Sequence, residues 1–462
     1  MPNASSSDTH DLIVLGSGQG GNPLATAFAR AGKRVALVER EHVGGTCVND
    51  GCTPTKTMVA SARVAHLARR SADYGVVTGA VSLDLERVRE RKREIVASFR
   101  SGSESGLREA GVELVRGEGR FIGERTIAVD AERGERTLRG EIVVISTGST
   151  NRVPKVKGLD AVPHLDSTSI MELAEVPEHL VVLGGGYIGL EFAQMFRRFG
   201  ARVTVVEFGS RIVGHEDDDM SDALAAILRD GGIDIRTNTA ARAVRGDQGA
   251  LEVEVEHEGA RSTLAGSHLL VAAGRVPVTQ GLGLREAGVK TTRQGHVKVN
   301  ARLATSAEGV YAIGDVKGGP AFTHIAYDDY RILRTNLLEG GKASTRGRMV
   351  PYTVFTDPQL GRIGMTEREA REAGKEFRVA RMPVERIARG LETDETRGEL
   401  KVLVDRRTDR LLGAAVLAPD GGELASLLQV AMMGRLTWQA LRDGTFSHPT
   451  WAESVNNVFA GM

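Results

Sequence analysis

The chain has 462 residues, in which 60 Lys and Arg balance 60 Asp and Glu. That length suits two to four domains with real cores, and a net charge of zero gives no support for binding nucleic acid or an anionic membrane surface. No apolar run approaches the roughly 20 residues that a bilayer-spanning helix needs, so a cytoplasmic location is expected. Glycine is abundant, at 56, and aromatic residues are scarce, at 4%. The glycines cluster at strand-to-helix turns, which suits an α/β nucleotide-binding protein better than an all-β one.

In chain order, Met1 to Thr9 are small and polar and read as a disordered tail. An apolar strand from Asp11 to Leu15 then runs into a G-x-G-x-x-G box at Gly16, Gly18 and Gly21. A helical pattern continues to Gly32, and a second strand from Arg34 ends on Glu39. The turn from Gly44 to Lys56 follows and holds the only two cysteines, Cys47 and Cys52, with four residues between them. A helical run over Lys56 to Arg70 begins just past Cys52. A thiol at a helix N-terminus beside a lysine has its thiolate stabilised, which is what a pair shuttling between dithiol and disulfide requires. A structural bridge suits small secreted chains, and a zinc site needs about four ligands and finds no further cysteine, so no metal site is expected.

Further on, Ile142 to Ile145 form a buried strand that ends at Ser146, Thr147, Gly148 and Ser149. The first pattern then recurs. His179 to Leu183 lead into Gly184, Gly186 and Gly189, a helical run reaches Gly200, and the strand from Arg202 leads to Glu207. Every matching position is offset by the same 168 residues, and the acid lies 18 residues past the third glycine in both copies. Two complete strand–turn–helix–strand–acid units predict two doubly wound domains, each binding one dinucleotide. The glycines permit a tight turn and close approach of a pyrophosphate, the helix N-terminus supplies N–H groups, and the acid bonds a ribose hydroxyl. A carboxylate at Glu207 repels a 2′-phosphate, which favours NADH over NADPH, although Arg211 lies close downstream. The stretch from Ala304 to Ala312 reads as a strand ending at Gly314 and Asp315, whose carboxylate suits a cofactor hydroxyl, with a helix following from Phe322 to Leu338. From Pro351 onward, strands such as Glu399 to Asp405 and Leu411 to Val416 alternate with helical runs and suggest an α+β domain.

The whole order of motifs resembles the pyridine nucleotide-disulfide oxidoreductases, the family of dihydrolipoamide dehydrogenase, glutathione reductase and mercuric reductase, over about residues 10–460. It implies an α/β fold with two Rossmann-like domains and a C-terminal α+β dimerisation domain. FAD would bind through residues 1–150 and 274–347, NAD(P)H through 151–273, and a homodimer would form through 348–462. By resemblance, Gly16, Gly18, Gly21, Glu39, Gly45, Thr46, Lys56, Thr147, Gly148, Gly314 and Asp315 hold FAD. Gly184, Gly186, Tyr187, Gly189, Glu207 and Gly274 hold NAD(P)H, with Tyr187 as a gate over the nicotinamide pocket.

The resemblance also implies catalytic roles. Cys52 would lie against the flavin, and Cys47 would be the interchange thiol that attacks an external small disulfide. Lys56 and Glu191 would form an ion pair by the flavin. His448, in a His-Pro-Thr-x-x-Glu motif, would be the acid–base, oriented by Glu453 and contributed by the partner subunit, so that the active sites are shared. The run from Thr323 to Tyr330 is similar to a group labelled mercuric reductase-like. True mercuric reductases, however, end in a vicinal cysteine pair, where this chain has Phe459 to Met462. A disulfide reductase is therefore the leading expectation. Alternatives are a mercury or copper reductase and a diaphorase acting on quinones or oxygen.

Overall fold

The computed structural model describes residues 8–131, 134–247 and 249–462. Two compact units emerge. The first comprises the chain up to Thr57, Arg87–Arg152 and Gly274–Arg348; the second comprises Met58–Glu86, Val153–Ala273 and Met349–Met462.

In the first unit, the strands Asp8–Leu15, Val35–Glu39, Glu113–Gly123, Gly134–Ile145 and Val310–Ala312 form a parallel sheet, with Asp8–Leu15 paired on both sides. The strand Thr126–Ala131 joins the far halves of Glu113–Gly123 and Gly134–Ile145 in an antiparallel meander. Alternate residues of the same strands supply two different cores, as the two-residue period of a strand dictates. Leu12, Val14, Val35 and Leu37 pack on one face with Leu24 and Phe28 of the helix Gly21–Arg30 and with Leu333 of the helix Thr323–Leu337. Ile13, Leu15, Ala36 and Val38 pack on the other face with Phe121, Ile127, Leu138 and Leu284.

The second unit repeats the plan. The strands His268–Val271, His179–Leu183, Arg202–Val206 and Ile233–Arg236 lie parallel in that order. Val181, Leu183 and Val206 pack against Val244, Val253 and Leu264 of an antiparallel meander. The C-terminal segment builds a five-stranded antiparallel sheet, whose core brings Leu400, Val402 and Val416 onto Leu424 and Leu428 of the helix Gly421–Met433. No helix among the described residues is long and apolar enough to cross a membrane.

Three local readings need correction. Asp8 and Thr9 are not tail. They extend the first strand by pairing with Leu138 and Arg139, contacts that no local pattern announces; the rest of the expected tail lies outside the described residues. The helix after the cysteine turn is Cys52–Arg69, so Cys52 is its first residue rather than a flanking one. The strand before Gly314 is only Val310–Ala312, and Ala304 merely bridges back to Tyr311.

Candidate active site

The two glycine boxes share one geometry. Gly16 and Gly184 have φ of 98° and 115°, and a Cβ on either would come within 2.5 Å of a carbonyl oxygen, that of Ser146 or of Ala272. A Cβ on Gly21 would lie 2.2 Å from the Gly16 oxygen, and one on Gly189 would lie 2.1 Å from the Gly184 oxygen. The first glycine therefore makes the turn and the third lets the helix close on it. The middle glycines differ in kind. A Cβ on Gly186 would meet nothing within 4 Å, and one on Gly18 would meet only the Ser146 oxygen at 4.0 Å. Both face open space beside a helix start that no side chain caps. A helix start without a side-chain cap and a backbone without a side chain form a cradle for a pyrophosphate, so the residues present fit a dinucleotide at each box.

Each acid is held in place by backbone. Glu39 accepts at Oε2 from the Ser17 N–H at 3.0 Å and from the Ser17 hydroxyl at 2.6 Å, and at Oε1 from the Glu41 N–H at 2.9 Å. Glu207 accepts from the N–H groups of Gly185 and Gly209, each at 2.6 Å. Arg211 is engaged by Asp222 at 3.0 Å and Asp218 at 3.3 Å.

Ser17 also connects the first box to the cysteine turn, because its hydroxyl accepts from the Gly44 N–H at 3.1 Å. Gly45 (φ 62°) rests directly on Gly18: a Cβ there would stand 2.7 Å from the Gly18 Cα. Cys47 follows in the short helix Gly45–Asn49 and is half-buried; Cys52 opens the next helix and is exposed. The Cys47 thiol is pushed far above its ordinary range, first by its hydrogen bond with Cys52 and then by burial, while Thr323 and the charge of Lys56 pull the other way. The Thr323 hydroxyl lies 3.4 Å from the Cys52 sulfur.

At the end of the strand Gly134–Ile145, the Thr147 hydroxyl donates to the Val278 carbonyl at 2.7 Å, and Gly148 takes φ 71°. Ser149 donates to Asp315 at 2.7 Å and accepts from Arg275 at 2.8 Å. Gly274 takes φ 107°, and Gly314 takes φ 71°.

In the second unit, Tyr187 opens the helix Tyr187–Phe199, and Glu191, buried on its next turn, accepts from the Phe355 N–H at 2.9 Å. The Nδ1 of His448 lies 2.9 Å from Oε2 of Glu453. Thr450 shapes that turn, donating to the Ser447 carbonyl at 2.8 Å and accepting from the Glu453 N–H at 3.2 Å. The His448 ring is largely exposed and Glu453 mostly covered, which leaves the imidazole held at one nitrogen and open at the other.

Reading the sequence misses Ser17, Thr323 and Ser149 as site residues. A serine or threonine carries no periodic signal, and each acts through a partner far away in the chain. The only available hint is that Ser17 stands inside a glycine box.

Residues 10–329 match the pyridine nucleotide-disulphide oxidoreductase family, and residues 350–459 match its dimerisation domain. The probable pyridine nucleotide-disulfide oxidoreductase RclA of Escherichia coli (strain K12) is 39% identical over 456 residues, which cover 98% of this chain and 99% of the relative. Mercuric reductase of Staphylococcus aureus is 34% identical, covering 96% of this chain and 81% of its own. Mitochondrial dihydrolipoyl dehydrogenase of Pisum sativum is 34% identical, covering 98% and 92%. Among solved structures, the Cu(II) complex of the HOCl-induced flavoprotein disulfide reductase RclA from Escherichia coli is similar at a TM-score of 0.90 and 39% identity, over 98% of this chain and 99% of that one. Likeness along nearly its entire length, on top of a doubled nucleotide fold with a thiol pair against the first cradle, means that this chain belongs to the pyridine nucleotide-disulfide oxidoreductase family.

Proposed function

We propose that the chain takes electrons from NADH and delivers them through Cys47 and Cys52 to a small external disulfide, working as a cytoplasmic homodimer with shared active sites. As a member of its family it is an FAD-dependent, NAD(P)H-driven oxidoreductase acting on sulfur groups. Bound flavin supplies a two-electron relay between nicotinamide and disulfide. The first box, Glu39, Gly45, Thr46 and the Thr147–Ser149 and Gly314–Asp315 turns would hold FAD, and the second box with Glu207 would hold NADH.

The observation that carries this reading is the packing of the cysteine turn on the first cradle, Gly45 against Gly18, with the two thiols hydrogen-bonded to one another. Once the pair is reduced, the Cys47 thiolate attacks the substrate disulfide and forms a mixed disulfide, releasing one thiol. The Cys52 thiolate then attacks the Cys47 sulfur, releases the second thiol and restores the internal bridge. The raised Cys47 supports this order. Its hydrogen bond with Cys52 and its burial hold the Cys47 thiol protonated, so Cys47 needs a base before it can attack. His448 from the partner subunit would be that base and would return the proton to the departing thiol, and its contact with Glu453 supports the role. The match of residues 350–459 to the family's dimerisation domain supports the pairing of chains.

The test is NADH oxidation by the flavin-loaded protein with lipoamide, oxidised glutathione, a quinone, Hg²⁺ and Cu²⁺ in parallel. Turnover with a disulfide well above that with the quinone or either metal supports the reading. Turnover with a metal alone, or with the quinone alone, replaces it by metal-ion or diaphorase chemistry.

A further inference from the structure

The helix Thr323–Leu337 meets its surroundings at three separate points in the first unit. At its start, the Thr323 hydroxyl lies on Cys52. Next, the Ala326 carbonyl comes so close to Gly20 that a Cβ there would stand 2.8 Å from it, so the helix seats directly on the first glycine box. Last comes Asp329, which is fully buried. Its Oδ2 accepts from the Gly314 N–H at 2.9 Å and from Lys317 Nζ at 3.1 Å. Its Oδ1 accepts from Arg348 Nη1 at 2.7 Å, and Arg348 also reaches Asp328 at 3.3 Å. The Lys317 and Arg348 side chains are 4% and 16% exposed, so removal of the carboxylate takes the carboxylate partner from covered Lys317 and leaves Arg348 with Asp328 alone.

Three donors, two on the Gly314–Lys317 turn and one on Arg348, converge on one buried carboxylate and make a stiff junction. Asp329 sits less than two turns beyond Thr323, about 9 Å along the axis, so a shift of the helix at Asp329 reaches the Thr323 hydroxyl as a rigid displacement. Gly314, the backbone group that Asp329 grips, immediately precedes Asp315.

Resting on the function proposed above, we propose that Asp329 is a positioning residue for the thiol chemistry. It pins the helix to the Gly314–Lys317 turn so that the Thr323 hydroxyl stays on the Cys52 sulfur. The protonation of Cys52 is thereby tied to the turn that carries Asp315.

The chain holds only two cysteines, so Cys47→Ser leaves Cys52 as the sole thiol. The experiment follows iodoacetamide alkylation against pH in the FAD-loaded Cys47→Ser protein. Thr323→Val should lower the thiolate fraction below the titration midpoint by about 3- to 10-fold, the worth of one ordinary hydrogen bond. Asp329→Asn should lower it by a comparable factor, and the two together should lower it no further than Thr323→Val alone. The FAD dissociation constant, read by flavin fluorescence, should rise about tenfold for Asp329→Asn and stay put for Thr323→Val. An unmoved titration in folded Asp329→Asn protein, or two shifts that add, overturns the proposal. If Asp329→Asn does not fold, Lys317→Met removes the charged one of the two bonds on the turn side, leaving the Gly314 N–H, and must move the Cys52 midpoint in the same direction; no movement overturns the proposal equally. Failure of the functional reading looks different, because the unmodified protein would then show no NADH-driven disulfide turnover at all.

Discussion

Gly45 and Gly18 touch backbone to backbone, with a Cβ on Gly45 destined to stand 2.7 Å from the Gly18 Cα. The turn that carries the thiols thus rests on the turn proposed to cradle a pyrophosphate. A side chain at Gly45 would push the two apart, besides straining a φ of 62°. Gly45→Ala should lower stability by about 2–4 kcal/mol and weaken FAD retention. Gly32→Ala is the control, since Gly32 also has positive φ (78°) but open space around it, and should cost only about 1 kcal/mol. Denaturant titration and flavin release measure both. Equal effects of the two substitutions would show that the contact with Gly18 is immaterial.

Cys47→Ser and Cys52→Ser should each reduce disulfide turnover below about 1% of native, because neither half of the exchange can proceed alone. NADH oxidation with an artificial quinone should persist in both. A single variant that keeps a tenth or more of its disulfide activity would exclude a two-thiol shuttle.

With both oxygens of Glu207 fixed by backbone N–H groups and Arg211 occupied by Asp218 and Asp222, kcat/KM for NADH should exceed that for NADPH by at least about tenfold. Replacing both aspartates with asparagine releases Arg211 and should narrow the ratio. Comparison of initial rates with the two nucleotides decides it, and an unchanged ratio would mean that the grip on Arg211 plays no part.

His448→Ala should cut disulfide turnover by about 10²-fold or more and leave quinone reduction nearly intact, because only thiol exchange needs the proton moved. Glu453→Gln should show a smaller loss in the same assay, since it removes the charge that faces Nδ1 but not the ring. If His448 serves the partner's thiols, dissociating and re-pairing equal amounts of His448→Ala and Cys47→Ser chains makes about half of the dimers mixed, each with one intact site, and the mixture recovers up to about a quarter of native activity per chain. Exchange of chains without any recovery would confine His448 to its own subunit.

Burial, helped by the charge of nearby Arg198, holds His66 down at about 4 against its ordinary 6.5, and its Nε2 is covered without a partner among the described residues. Above about 6.5 the ring is neutral in both the folded and the unfolded chain and contributes no pH dependence. Between about 6.5 and 4 the unfolded chain takes up a proton that the folded chain refuses, so stability falls as pH falls. Melting temperatures across this window should decline less steeply for His66→Gln. Parallel curves would assign the acid loss to other groups.

Much of the molecule was legible in one dimension, and the reason is local. A left-handed turn at Gly16 or Gly184 and the missing side chain at Gly186 are demands that a single residue type meets, so they print directly into the chain and repeat at a fixed offset. The runs Val35–Glu39 and His179–Leu183 announce strands covered on both faces because every residue in them is buried. The two thiols, alone in the chain, declare themselves by count. What only the tertiary structure decided depends on partners far apart in sequence, which leave no period to read. Asp8 and Thr9 became strand because Leu138 and Arg139 lie beside them. Ser17 acquired its place between Glu39 and Gly44, and Arg211 was taken up by two aspartates on the following helix. Asp329, one of two adjacent acids on an unremarkable helix in the sequence, became a buried junction only when folding brought Gly314, Lys317 and Arg348 around it, since the cost of burying that charge is met by donors from two separate segments, the Gly314–Lys317 turn and Arg348.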